Sequence, residues 1–225
     1  MINFCCVYYG TKYKVEYVQK LYNMIQRHLT IPHKFICFTD NIRLNKMVEG
    51  DIECKPFHYH NYQGWWNKLQ LFSPEVELEG VNFYLDLDVV LLDNVDKFVE
   101  YGDEDSFCIT RDFSYSDRMW NSSVMKWNNK TATDLIWKPF LANKTQFMSL
   151  QGDQNVISDC IRDKDNCLSY PDEWTFSYKW RSRIKPAFSR ADWTFEQVPG
   201  ASIAVFHGSP NPHESDQEWV KNNWK

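Results

Sequence analysis

The chain has 225 residues, 43% hydrophobic and 16% aromatic, with a formal net charge of −5 and a pI near 5.7. That length suits a single domain over residues 1–225, and an acidic balance with no Lys/Arg-rich run excludes broad binding to nucleic acid or anionic membrane. No apolar run approaches the ~18 residues that span a bilayer, and Met1 leads straight into NFCCVYY, so a cytoplasmic protein without a membrane span is expected.

INFCCVYY (2–9) has the short, β-branched and aromatic make-up of a buried strand. Val15, Val18, Tyr22, Ile25 and Leu29 then recur at helical spacing, and Pro32 closes the helix. KFICFTD (34–40) and DIECKPF (51–57) predict two further strands, NKLQLF (67–72) a short helix, and VNFYLDLD (81–88) a fourth strand. This β-α-β-β-α-β order predicts an α/β fold with a mainly parallel central sheet and flanking helices.

The second half is less periodic. SFCIT (106–110) and SSVMKW (122–127) predict strands, while TATDLIWKPFL (131–141) and GDQNVISDCI (152–161) predict helices. Residues 171–200, with Trp174, Trp180, Arg181, Arg183 and Trp193, have no clear period. SIAVFH (202–207) predicts a late strand, and HESDQEWVKNNW a terminal helix. Seven cysteines without CxxC spacing predict buried free thiols and neither a disulfide framework nor a zinc site.

YLDLDVVL (84–91) carries two carboxylates to the end of a core strand. In an extended chain Asp86 and Asp88 share a face, and two ionised carboxylates ~4 Å apart repel by about 4 kcal/mol at an effective dielectric near 20. Either one is protonated or a cation lies between them. Strand carboxyl ends gather ligands in open α/β sheets, and two oxygen donors suit Mg²⁺ or Mn²⁺ holding a phosphorylated substrate. The plainer alternative is a pair of solvated aspartates.

The ordered motifs around this pair resemble GT-A glycosyltransferases, most closely family 8, the glycogenin and lipopolysaccharide galactosyltransferase type, across nearly the whole chain. VYYGTKY resembles the nucleotide loop, with Tyr8, Tyr9 and Tyr13 as contacts and Tyr13 as the base-stacking ring; FTD adds Thr39 and Asp40. NKLQLF resembles the segment whose basic residue meets the donor, here Lys68. YLDLD resembles the metal motif, with Asp86 and Leu87 also against the nucleotide. NSSVM resembles the donor-sugar loop, opened by Asn121 and with Ser123 in place of glycine. GDQN resembles the pair near the reacting carbon, Asp153 and Gln154. FHGSPNP resembles HGxxKP, making His207 the third metal ligand and Gly208 a donor contact. Asn211 stands in that motif's lysine position, and Lys179, Arg181 or Arg183 is the candidate replacement.

The resemblance implies a GT-A (Rossmann-like) nucleotide-diphospho-sugar transferase fold. It also implies a Mn²⁺- or Mg²⁺-dependent transfer of a hexose from a nucleotide-sugar, a UDP-sugar by preference, to a saccharide or other acceptor with retention. Trp65, Trp66, Trp174 and Trp180 are candidates for the acceptor cleft, with packing the competing role; His58 and His60 are taken as surface or acceptor-side residues. DLDVV also fits the haloacid-dehalogenase phosphatase signature, with Asp86 as nucleophile, but that family carries it on the first strand. A sugar-binding protein without turnover is the third reading.

Overall fold

The computed structural model describes residues 1–113, 118–180 and 194–225. Arg181, Arg183 and Trp193 therefore lie outside the described residues. β1 (Ile2–Tyr8) leads into α1 (Glu16–His28), followed by β2 (His33–Thr39) and β3 (Ile52–Pro56). A 3₁₀ segment, Gly64–Phe72, precedes β4 (Val81–Leu85), β5 (Val89–Leu91), α2 (Asp96–Glu100), β6 (Phe107–Arg111) and β7 (Trp120–Asn128).

The helices α3 (Asn129–Ala132), α4 (Lys138–Ala142), α5 (Lys144–Phe147) and α6 (Asp153–Ile161) come next. β8 (Cys167–Ser169), β9 (Thr175–Ser177), β10 (Ile203–Val205) and α7 (Glu218–Asn223) complete the order. A π-helical turn, Thr133–Trp137, joins α3 to α4, with Lys138 N–H reaching back to Thr133 O. Pro139 in the next turn has no N–H to give, which favours this wider register over a regular helix.

The main sheet has the order β3-β2-β1-β4-β7-β6-β8. β7 is antiparallel to both its neighbours, β4 and β6, and all other pairings in that sheet are parallel. Alternation along each strand sends side chains to two cores. Phe4, Cys6, Phe35, Cys37, Phe83 and Leu85 face α1 and the small sheet, while Cys5, Ile36, Phe38, Tyr84, Met125 and Trp127 face the 3₁₀ segment and α6. Burial on both faces explains the near-continuous apolar runs of β1 and β2. The buried face of α1, Tyr17, Val18, Leu21, Met24 and Ile25, overlaps the expected stripe; Leu29 is already extended.

Residues 81–88 do not form one strand. The main sheet releases the chain after Leu85, Asp86–Asp88 make a turn, and β5 joins a second sheet of order β5-β10-β9. Asp86 N–H bonds Ser123 O at 2.9 Å on one side of this corner, and Asp88 O accepts from Phe206 N–H at 3.0 Å on the other. Asp86 and Asp88 therefore do not share a strand face as expected: the corner, not the pleat, aims the two carboxylates. The expected terminal helix is also divided, into a turn at Pro212–Glu214 and α7. All seven cysteines are free, five of them buried. No helix among the described residues is long and apolar enough to cross a membrane.

Candidate functional site

The carboxyl ends of β1 and β4 open onto a cleft of about 620 Å³. The 9–13 loop, the 86–88 corner, the start of β7, the first turn of α6 and the 206–208 segment after β10 all line it. Of the expected site residues, Tyr9, Tyr13, Lys68, Asp86, Leu87, Asp88, Asn121, Asp153, Gln154, His207 and Gly208 border this one volume. Tyr8 points instead into the core beneath α1, and Thr39 is buried, its hydroxyl accepting from Asn41 N–H at 3.0 Å. Asp40 acts from outside the cleft: its two carboxylate oxygens accept Gly10 N–H at 3.1 and 3.2 Å. Gly10 has φ +65°, a conformation glycine adopts without a Cβ penalty, so Asp40 fixes the turn that delivers Lys12 and Tyr13 to the cleft.

Lys68 is 5% exposed and lies between two carboxylates, with Nζ 2.9 Å from Asp86 and 3.1 Å from Asp153. It also donates to Ser122 Oγ at 3.0 Å, and that hydroxyl donates to Asp153 Oδ2 at 2.8 Å. Tyr84 OH adds a bond to Asp86 Oδ1 at 2.7 Å. Burial alone would raise the Asp86 carboxyl, but Lys68 and these donors hold it below the usual carboxylate range. The residue expected to meet the donor is thus a clamp that sets Asp86 and Asp153 on one ammonium.

Asp88 is under the opposite pressure. Burial first, and then the charge of Asp86, push its carboxyl up to about 6, although Tyr13 OH donates to it at 2.7 Å. Tyr13 itself lines the cleft; its ring packs on Tyr17 with centroids 4.7 Å apart, and the Lys12 ammonium lies 4.6 Å above it. His207 is pushed down to about 4 by burial and by the nearby Lys179 ammonium. Its ring lies parallel to Phe113, and Nε2 is 2.6 Å from Ser177 Oγ. Lys179 Nζ donates to the carbonyls of His207 and Ser209, which pins the segment around Gly208 (φ +69°).

Two carboxylates and a neutral imidazole on one cleft form a donor set suited to Mn²⁺ or Mg²⁺, and the unrelieved charge at Asp88 is what a cation would relieve. Among the described residues no three such side chains are gathered closely enough to share an ion as they stand. The donor set fits the ion in chemistry, with His207 still engaged by Ser177.

Gln154 is oriented at both ends of its amide: Nε2 donates to Asp112 at 2.8 Å, and Oε1 accepts from Asn121 Nδ2 at 3.4 Å. Asn211, in the position of the missing lysine, turns to Glu214 and is not part of the cleft lining. The lysines of the lining are Lys12 and Lys68 among the described residues. Of the four tryptophans considered for the acceptor side, Trp65 lines the cleft. Trp66 packs against one core, while Trp174 and Trp180 pack against the other, Trp174 edge-on to Phe98 at 5.1 Å. His58 and His60 are exposed in the loop after β3, where His58 meets Tyr59 edge-on. Tyr84, Ser122, Ser177 and Asp112 were missed from sequence; Tyr84, two residues before Asp86, and Ser122, inside NSSVM, carried a positional signal, whereas Ser177 and Asp112 carried none.

No family model matches the sequence, and no curated protein is significantly similar to it. Solved structures are similar in fold. An active-site mutant of LgtC superposes with a TM-score of 0.69 at 11% identity, over 98% of this chain and 93% of that one. The glycosyltransferase GlyE of Streptococcus pneumoniae TIGR4 gives 0.68 at 16% identity, over 98% of this chain and 62% of that one. The galactosyltransferase LgtC in complex with donor and acceptor sugar analogs gives 0.63 at 12%, over 99% and 96% of the two chains. The chain has the GT-A fold.

Proposed function

We propose that the chain is a single-domain, metal-dependent glycosyltransferase of the family 8 type. It moves a hexose from a nucleotide-sugar, by preference a UDP-sugar, to an acceptor hydroxyl with retention. The observation that carries this reading is the convergence of Asp86, Asp88, His207, Asp153 and Gln154 on one cleft at the carboxyl ends of β1 and β4. Ligands gather at that edge in open α/β sheets. The likeness to glycosyltransferase structures over nearly the full chain supports the same reading. The free cysteines are in keeping with a reducing, cytoplasmic site of action.

Asp86, Asp88 and His207 would hold Mn²⁺ or Mg²⁺, which when bound supplies the positive charge that a departing diphosphate needs. The protein's own groups do the rest. Lys12, exposed at the lip above Tyr13, is placed to add a second cation to the diphosphate. Tyr9 and Leu87 border the space for the nucleoside, and Asn121 and Gly208 the space for the sugar and phosphates. Asp153, fixed by Lys68 and Ser122, and Gln154, fixed by Asp112 and Asn121, steady the sugar around its anomeric carbon. In a retaining transfer the departing phosphate oxygen takes the acceptor proton.

The phosphatase alternative is not favoured. That family carries its nucleophile on the first strand, whereas β1, α1, β2 and β3 precede Asp86 here, and structures similar over nearly the whole chain are glycosyltransferases. Turnover is favoured over sugar binding alone because Asp153 and Gln154, each fixed by two side chains, share the cleft with the paired carboxylates, and similar structures are glycosyltransferases. Calorimetry tests the donor half of the reading. UDP should bind with Mn²⁺ and lose most of its affinity on chelation, and Asp88→Asn should remove most of that metal dependence. Equal UDP affinity in Mn²⁺ and in EDTA would contradict it.

A further inference from the structure

Trp65 is 57% exposed, yet the backbone that carries it is firmly held. Gly64 turns the chain at φ +55°, and Asn67, 1% exposed, donates Nδ2 to Gly64 O at 3.1 Å. Asn67 is held in turn by Gln70 Nε2 at 2.9 Å, while the neighbouring Trp66 packs inward. The pyrrole edge of the Trp65 indole rests against Gly152, where a Cβ would come within 3.3 Å of Nε1. This contact seats the ring beside the first turn of α6, next in sequence to Asp153. Gln151, next to Gly152, and Asn155, in the first turn of α6, line the same cleft.

A flat, electron-rich face bared to solvent on a pinned backbone loses little entropy when a partner covers it. With two side-chain amides on the same cleft, it fits a partner that is apolar in the middle and hydroxylated at the rim. A pyranose ring has that chemistry, with C–H groups on its face and hydroxyls around its edge. A serine or tyrosine hydroxyl on a protein acceptor lacks the rim that Gln151 and Asn155 would read.

We infer that Trp65 is the acceptor platform and that the acceptor is a saccharide, laid with a pyranose face on the indole and one hydroxyl turned toward Asp153. The chemistry rests on the glycosyltransferase reading; the binding does not. In the transfer the acceptor oxygen bonds to the donor's anomeric carbon as the bond from that carbon to the diphosphate oxygen breaks. The acceptor proton leaves on the diphosphate, and no oxidant or reductant is needed.

Saturation-transfer NMR on the intact chain, with UDP and Mg²⁺ present, tests the platform against methyl glucosides, methyl galactosides, lactose and maltose. At least one sugar should receive saturation at its ring C–H protons. That signal should fall at least fivefold in Trp65→Ala and Trp65→Leu and persist in Trp65→Phe, with UDP affinity within about twofold throughout. Two substitutions without an aromatic ring guard against one misfolding, and the exposed position favours both. Undiminished transfer in the Ala and Leu variants, or no transfer to any of these sugars in the native chain, would overturn the platform. Failure of the native chain to bind UDP counts against the donor reading, and the sugar signal still decides Trp65.

Discussion

Asp88 and His207 border the same cleft with opposite titration problems. The folded chain holds Asp88 near 6 against an ordinary 3.8, so its contribution to stability is full below pH 3.8 and lost as pH rises through 6. It holds His207 near 4 against 6.5, so that contribution is full above pH 6.5 and lost as pH falls through 4. Each amounts to about 3 kcal/mol at ~1.4 kcal/mol per unit, and in the native chain the two slopes oppose each other. Removing one should uncover the other. Denaturant titrations should find Asp88→Asn losing stability between pH 6.5 and 4, and His207→Gln gaining it between pH 6 and 4. Identical pH slopes in both variants would refute the burial that produces the shifts. Asp153 invites a different measurement. Asp153→Asn keeps the bulk but loses the charge facing Lys68 and Ser122, so turnover should fall at least ~100-fold while UDP still binds. Proton NMR of the first product formed by the native chain should give the donor's anomeric configuration, and inversion would exclude the retaining role. These residues were legible because their types and order were distinctive. Lys68 was legible as a basic group at the site but not as a clamp, since only the fold brings Asp153 to the far side of its ammonium.

At the scale of elements, the least legible feature was the corner between β4 and β5. Leu85-Asp86-Leu87-Asp88-Val89 keeps an unbroken alternation, and no glycine or proline marks the turn. The bend comes from partners distant in sequence, Ser123 on one sheet and Phe206 on the other. β8 and β9 have three residues each, too short for a periodic signal, whereas β1, β2 and α6 were legible from long apolar runs or motif context. The small sheet β5-β10-β9 has three residues paired per strand, against seven between β1 and β2. Short ladders open with lower free energy than long ones. Amide exchange at Val89–Leu91 and Ile203–Val205 should therefore outpace that of β1. Because the corner and the 206–208 segment flank the proposed donor site, UDP with a divalent ion should slow these amides most. Protection gained elsewhere, with none at these two strands, would contradict a site that spans both sheets.

For the molecule as a whole, near-continuous apolar runs in the central strands, set in a β-α-β-β-α-β order, pointed to the α/β class, because a parallel sheet covered on both faces must be apolar on both. The alternating direction of side chains along those strands distributes two cores over one shared sheet and leaves its carboxyl edge free to form the cleft. What sequence could not provide was the inward packing of Trp66, Trp174 and Trp180, which leaves Trp65 as the exposed ring on the cleft. Aromatic count carries no direction until the helices and loops are in place. Catalysis at that cleft is tested by incubating the chain with UDP-, GDP- and dTDP-hexoses, Mn²⁺ and a saccharide panel while measuring released nucleoside diphosphate and glycosylated product together. Product should form from a UDP-hexose in step with UDP release, be abolished by EDTA and be restored by Mn²⁺. Absence of glycosylated product from every donor, or release undiminished in EDTA, would contradict it.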